Sequence, residues 1–184
     1  HTAEWAVKYA RDLDQAATLM FALSLTAFTH FLCGRYAIAI SQIDELAGLA
    51  NRKEAEQWQA YALIQRGYVL GAGERASDAV INIAAGIDLW RSTGATVDVP
   101  FFQTLQGEAE AKLGQFEVAS QRIDDAIRAI EITKERWFEA EVNRIAGEIA
   151  LKSRPPDMGK AKAKAQAYFE RALAVARQQQ AKSW

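Results

Sequence analysis

The residues nearest to a nucleophile and base are His30 and Cys33 in the run "THFLC", which holds the only cysteine and one of the two histidines of the chain. A thiol becomes a nucleophile when an imidazole within hydrogen-bond reach takes its proton and a third group orients that imidazole. Here the two lie on one apolar helical stretch with no carboxylate beside them, so packing in a core or groove is the expected role. "GYVLGAGERASDA" gathers glycines as a phosphate-binding loop does, but it lacks the Lys followed by Ser or Thr that such a loop uses, and it reads as a turn between helices. With His1 and His30 the only histidines, no Cys or His pair has metal-ligand spacing. The acidic pairs Asp124, Asp125 and Glu139, Glu141 stand near Arg122, Arg128 and Arg144, where exposed pairs contribute only about 0.2–0.5 kcal/mol each. "KAKAK" falls in a tail, residues 152–184, with eight Lys or Arg against two Asp or Glu. Such a run could touch phosphate or an acidic partner, but salt screens it, and it reads as solvated surface. No catalytic residue, metal or cofactor is expected.

The elements that carry these residues are helices. Of the 184 residues half are hydrophobic, only three are Pro and eleven Gly, and the rest are rich in helix formers. The formal charge of -1 supplies no global attraction to nucleic acid or to an anionic membrane. "ATLMFALSLTAFTHFL" is too short and too polar for a membrane span and predicts a buried helix. The start, "HTAEWAVKYARDLD", lacks the basic and apolar blocks of a secretory signal, and one cysteine permits no intrachain disulfide, so the cytoplasm is the expected location. His1 in place of Met points to an excised segment of a longer chain.

Self-similarity organises the whole sequence. Ala27, Gly67, Gly107 and Gly147 are each 40 residues apart, and Ala39, Ala79, Ala119 and Ala165 follow at 40, 40 and 46. Four further columns keep that register: Ile43, Ile83, Ile123, Phe169; Leu46, Gly86, Ala126, Ala172; Ala47, Ile87, Ile127, Leu173; and Ala50, Trp90, Ile130, Ala176. Their offsets place one stripe on a helix. Glycines at 34, 71 to 73 and 114 suit helix ends, where a left-handed residue closes the last turn. Each unit is thus a helical hairpin, and Pro155 and Pro156 in "KSRPPD" account for the six extra residues of the last. The expected fold is an all-α, right-handed superhelical solenoid of about 40-residue hairpins, forming a single repeat domain. Its parts are a half unit at 1–13 and hairpins at 14–53, 54–94, 95–134 and 135–184. First helices are expected at about 15–32, 54–72, 98–113 and 135–152, and second helices at 36–51, 76–92, 116–133 and 159–180, with residues 2–12 as the last helix of a preceding unit.

"AGEIAL" followed by "AQAYFERALAVA" resembles the tetratricopeptide repeat: a small residue in the first helix, then Ala, an aromatic and Ala in the second. The period of 40 exceeds the 34 usual for that family. It is more similar to the C-terminal repeats of bacterial signal-transduction ATPases of the maltose-regulator type and of ATPase-linked adenylate cyclases, as are "ERWFEAEVNRIAGEIAL" and "AYFERALAVARQQQAKSW". The resemblance implies a cytoplasmic scaffold or sensor of a multidomain signalling protein, without catalytic residues.

The expected function is a non-enzymatic interaction module that binds a peptide, a partner protein or another domain of the parent chain in a concave groove, with neither nucleic acid nor membrane as partner. The alternative is a structural or dimerisation spacer. Counting helical turns from the Gly107 column turns Phe28, Tyr61, Tyr68 and Phe101 toward that groove, with Arg144 and Glu148 at its polar end. Trp5 and Tyr9 at one end, and Ala172, Leu173 and Ala176 on the helix leading to Trp184 at the other, lack a polar capping face, which predicts weak self-association.

Overall fold

A computed structural model describes residues 2–153 and 158–181. Every described element is α-helical, with α1 Thr2–Asp12, α2 Ala16–Leu32, α3 Tyr36–Arg52, α4 Glu56–Ala72, α5 Ala76–Ser92, α6 Val99–Lys112, α7 Phe116–Thr133, α8 Glu139–Lys152 and α9 Met158–Gln178. The bounds fall within four residues of the expected ones. The widest departure is at the start of α8, where residues 135–138 form a turn instead of helix. Pro155, Pro156, His1 and Trp184 lie outside the described residues.

The chain forms two compact units, His1–Thr96 and Val97–Trp184. In the first, α2 pairs with α3 and α4 with α5, while α1 packs on α2 and α3 on α4. Leu23, Ala27, Ala39, Ile43, Leu46 and Ala50 form the centre of one apolar cluster here. In the second unit α6 pairs with α7 and α8 with α9, and α8 also packs on α6 and α7. Ala39, Ala79, Ala119 and Ala165 are all buried, as the repeat requires of the helix crossing.

The crossings explain the small residues. A Cβ on Gly67 would run into Cγ1 of Ile83 and lie 3.1 Å from the carbonyl oxygen of Ala79. The contact is reciprocal, because a Cβ on Gly86 would stand 2.5 Å from Cγ1 of Ile64 and 2.9 Å from the carbonyl oxygen of Ala60. Each glycine of α4 and α5 is therefore the hole into which an isoleucine of the other helix fits. Gly147 does the same under the Phe169 ring, with Cε1 2.6 Å from where its Cβ would be.

Helix ends repeat as well, most strictly after the second helices. Gly34 and Gly114 close α2 and α6 in the left-handed region, at φ 70° and 76°, while α4 ends without a left-handed glycine. The second helices carry a column that residue type conceals: Asp14, Glu54, Gly94, Lys134 and Gln180 all have positive φ. Their spacings, 40, 40, 40 and 46, keep the same register as the buried alanines, whose last interval is also 46. Several of these ends close with the amide of the following residue donating back into the last turn, as Ala55 does to Ala50 at 2.9 Å and Ala181 to Ala176 at 3.0 Å.

Candidate functional site

α2 contains no acidic residue, and its only basic side chain is His30, which is buried. A helix apolar on all sides should be wrapped by protein. α2 packs on α1, α3 and α4, yet Phe21, Leu25 and Leu32 remain 56%, 48% and 67% exposed. These three and half-buried Phe28 stand at positions 21, 25, 28 and 32, which is one stripe of a helix. Aromatic rings of α4 extend the stripe sideways: Phe21 meets Trp58 edge-on at 6.3 Å, Trp58 meets Tyr61 at 6.3 Å, and Tyr61 leans on Trp90 of α5 at 5.7 Å. The first unit thus presents a continuous apolar surface built on two first helices.

The expected site residues fall into two groups. Phe28 and Tyr61 are half-buried members of this surface. Tyr68 lies beneath it at 4% exposure, its ring 6.3 Å from Phe28 and 6.0 Å from Phe31. Phe101, Arg144 and Glu148 belong to the second unit. Phe101 is 5% exposed, packed edge-on against Phe138 at 4.5 Å and beside Trp137 at 5.1 Å. The burial of Tyr68 and Phe101 gives them a supporting place under a surface. Leu25, Leu32 and Trp58 escaped the sequence reading because the outward stripe was counted from the glycine column. The signal that finds the first two is the absence of charge from α2 together with the 21, 25, 28, 32 spacing.

In the second unit the outward face of α8 is ionic. Arg144 donates twice to Glu141, from Nε at 2.7 Å and Nη2 at 2.6 Å, and also to Glu148, which in turn accepts from Lys152 at 3.2 Å. The hydrogen bonds that Arg144 donates to Glu141, with the charges of Glu141, Glu148 and Glu108, hold its guanidinium even more firmly protonated than usual. A cleft of about 660 Å³ opens between α7, α8 and α9. Within it Arg171 pairs with Glu139 at 2.7 Å, and the Tyr168 hydroxyl approaches Asp124 at 3.5 Å.

Two other polar groups have perturbed surroundings. Glu110 is buried, its Oε1 accepting from Gln106 at 3.1 Å and Arg122 at 3.3 Å, and burial raises its pKa against the pull of Arg122. Asp98 begins α6 at φ 63°, its amide donating to Glu135 Oε1 at 2.7 Å. Burial, then the neighbouring Glu135 carboxylate, push the Asp98 carboxyl up to about 6. His30 is buried and Cys33 is exposed at the end of α2, so the two do not share the core or groove environment expected from the sequence. No group of three or more metal-binding side chains is found among the described residues.

These features define a helical-hairpin repeat chain with an exposed apolar surface on its first unit. The sequence matches no protein-family model and no curated protein. Among solved structures, the crystal structure of the apo form of RapI, a helical-repeat protein, is similar to this chain with a TM-score of 0.68. At 11% sequence identity, over 97% of this chain and 76% of that one, the likeness concerns the fold. Among the described residues no helix is long and apolar enough to cross a membrane.

Proposed function

We propose that this chain is a non-enzymatic protein-interaction or sensor module of a multidomain bacterial signalling protein, acting in the cytoplasm. Its ligand is an apolar or helical peptide segment, from a partner protein or from another domain of the parent chain, held on the aromatic face of α2 and α4. The observation that carries this reading is the exposed stripe of Phe21, Leu25 and Leu32 on a helix otherwise enclosed by protein. Such a surface costs solubility unless a partner covers it. Phe28 and Tyr61 are the accessible anchors, and Tyr68 holds Phe28 from below. Phe101 supports the second unit in the same way, while Arg144 and Glu148 offer a polar contact there.

A peptide-display selection against the 184-residue chain tests this. It should enrich sequences with two or three apolar anchors at helical spacing. Their affinity should fall at least fivefold, about 1 kcal/mol, in Phe28→Ala and in Tyr61→Ala, as hot-spot truncations do. Tyr68→Phe, which keeps the buried ring, isolates the hydroxyl. Selected peptides that bind a folded Leu25→Glu, Phe28→Ala double variant unchanged would move the site elsewhere, and failure to enrich any sequence would leave the chain a structural spacer.

A further inference from the structure

The cleft between α7, α8 and α9 lies wholly within the second unit and has a chemistry of its own. On α7, Asp124, Ile127 and Glu131 fall on one stripe, an acid at each end about 10 Å apart along the helix with an isoleucine between them. On α9, Lys164 and Arg171 stand at the same seven-residue spacing. All five line the cleft, whose volume of about 660 Å³ is that of a small-molecule site. The Tyr168 hydroxyl, one turn after Lys164, reaches Asp124 at 3.5 Å, which sets the Lys164 end of α9 beside the Asp124 end of α7. α7 is thus an acidic wall and α9 a basic one. Arg128 does not neutralise the acidic wall at the cleft, because it pairs with Asp125 of its own helix. Nor do the walls neutralise each other: among the described residues neither Lys164 nor Glu131 takes part in an ion pair.

The floor of the cleft is polar and deep. Glu139 and Asn143, one turn apart on α8, line it at only 7% and 5% exposure. Arg171 reaches down from α9, where Nη2 donates to Glu139 Oε1 at 2.7 Å. One bond leaves the other N–H groups of that guanidinium available to a ligand. Asn143 donates from Nδ2 to the Glu139 carbonyl oxygen at 2.8 Å, while its own amide oxygen accepts from no described residue. Beside these groups, Ile127 and Ile130 supply an apolar seat.

We propose that this cleft binds a small zwitterion with an ammonium group, a carboxylate and an apolar body, as a free α-amino acid has. The ammonium is held by the α7 carboxylates and the Asn143 amide oxygen, the carboxylate by Lys164 and the remaining N–H groups of Arg171, and the apolar body rests on Ile127 and Ile130. A lone anion drawn to α9 meets Asp124, Glu131 and Glu139, and a lone cation drawn to α7 meets Lys164 and Arg171. Like charges brought together oppose binding, so a ligand carrying both signs is the one attracted by both walls.

An amide NMR titration of the 184-residue chain with L-leucine tests the proposal, beside leucinamide, which lacks the carboxylate, and N-acetyl-leucine, which lacks the ammonium. L-leucine should produce saturable shifts within residues 124–131, 139–143 and 164–171, and bind less tightly as salt is raised. Each analogue should bind the parent chain about fivefold more weakly than leucine does, the loss expected of one exposed charge pair. Leucine should lose a similar factor in Glu131→Gln and in Lys164→Gln, both at exposed positions, with unchanged peaks outside the cleft showing that the variants are folded. The absence of any saturable shift with leucine overturns the proposal, as do shifts confined to other helices. Leucinamide binding as tightly as leucine would also overturn it, in favour of a cation site, and N-acetyl-leucine doing so, in favour of an anion site. Unchanged affinity in both variants would place the ligand away from the two walls and end the proposal as well.

Discussion

α2 and α8 hold the same place in their hairpins, and the two units spend that place differently. Inward, both offer a small residue to the crossing helix, Ala27 in one and Gly147 in the other, and both are buried there. Outward, the register that places Phe21 and Phe28 on α2 places Glu141 and Glu148 on α8. One unit shows rings to solvent, and the other shows an ion-pair ladder anchored by Arg144. The hairpin geometry therefore constrains only the inward columns. The outward ones are free to carry function, and they diverge between two copies of the same structural plan.

The inward columns do not all bear the same load, and the largest effect we expect separates them. Alanine at Gly67 must displace the Ile83 side chain inside a reciprocal contact and also crowds the Ala79 carbonyl. Overpacking of this kind costs about 1–3 kcal/mol, and the helix propensity gained over glycine recovers only part of it. Gly67→Ala should lose about 2 kcal/mol in a urea melt. At Gly107 the nearest atoms, the Ala119 carbonyl oxygen at 3.2 Å and Arg122 Cβ at 3.3 Å, need to give by only a few tenths of an ångström. There the propensity gain of about 1 kcal/mol nearly cancels the crowding, and Gly107→Ala should be neutral within about 0.5 kcal/mol. Equal losses at the two sites would show that the crossings of the two units are alike after all.

A second difference lies in how the helices α2 and α6 begin. α2 starts without a titrating group, whereas α6 starts at Asp98 against Glu135. The folded Asp98 carboxyl titrates at about 6, above its ordinary value of 3.8. Between those values the folded chain holds a proton that the unfolded chain has released, so stability falls as pH rises. The contribution is complete below about pH 4 and is lost as pH rises through 6. Asp98→Asn should flatten this slope in thermal melts between pH 4 and 8. Glu110, raised by burial, acts in the same direction in both proteins, so the difference between the curves isolates Asp98. An unchanged slope in the variant would remove Asp98 from the account.

What was legible in the sequence follows the same division. The hairpins could be read because packing leaves few choices at a crossing: Gly67, Gly107 and Gly147, then Ala79, Ala119 and Ala165, repeat as residue types. The start of α8 was misplaced because "ERWF" has helical composition. In the structure the left-handed Lys134 breaks the chain there, and Glu135 is held in the turn by the Asp98 amide and by Trp137 Nε1 at 3.3 Å. Both contacts are invisible to local propensity. The outward stripe was read only in part, since nothing forces one residue type on it. Counting turns points Phe28 and Tyr61 outward, and both are half-buried, while the depth of Tyr68 and Phe101 depends on rings from neighbouring helices.

The least visible column was the left-handed one after the second helices, and it supports the smallest effect we expect. Asp14, Glu54, Gly94 and Lys134 share a backbone state, but only Gly94 has the residue type that betrays it. A side chain with a Cβ costs about 1 kcal/mol more than glycine in that state. Lys134 follows α7, is exposed, and donates its amide to Ile130 at 2.9 Å, a bond that glycine preserves. Lys134→Gly should therefore stabilise the second unit, by somewhat less than 1 kcal/mol once the greater freedom of unfolded glycine is subtracted. Gly94→Ala should destabilise the first unit by a comparable amount, since no atom lies within 4 Å of its Cβ position and the penalty comes from φ alone. Opposite shifts in chemical melts would establish that both units close their hairpins by one backbone rule. A loss of stability in Lys134→Gly would show that the lysine side chain contributes at that turn and that the two units end their second helices differently.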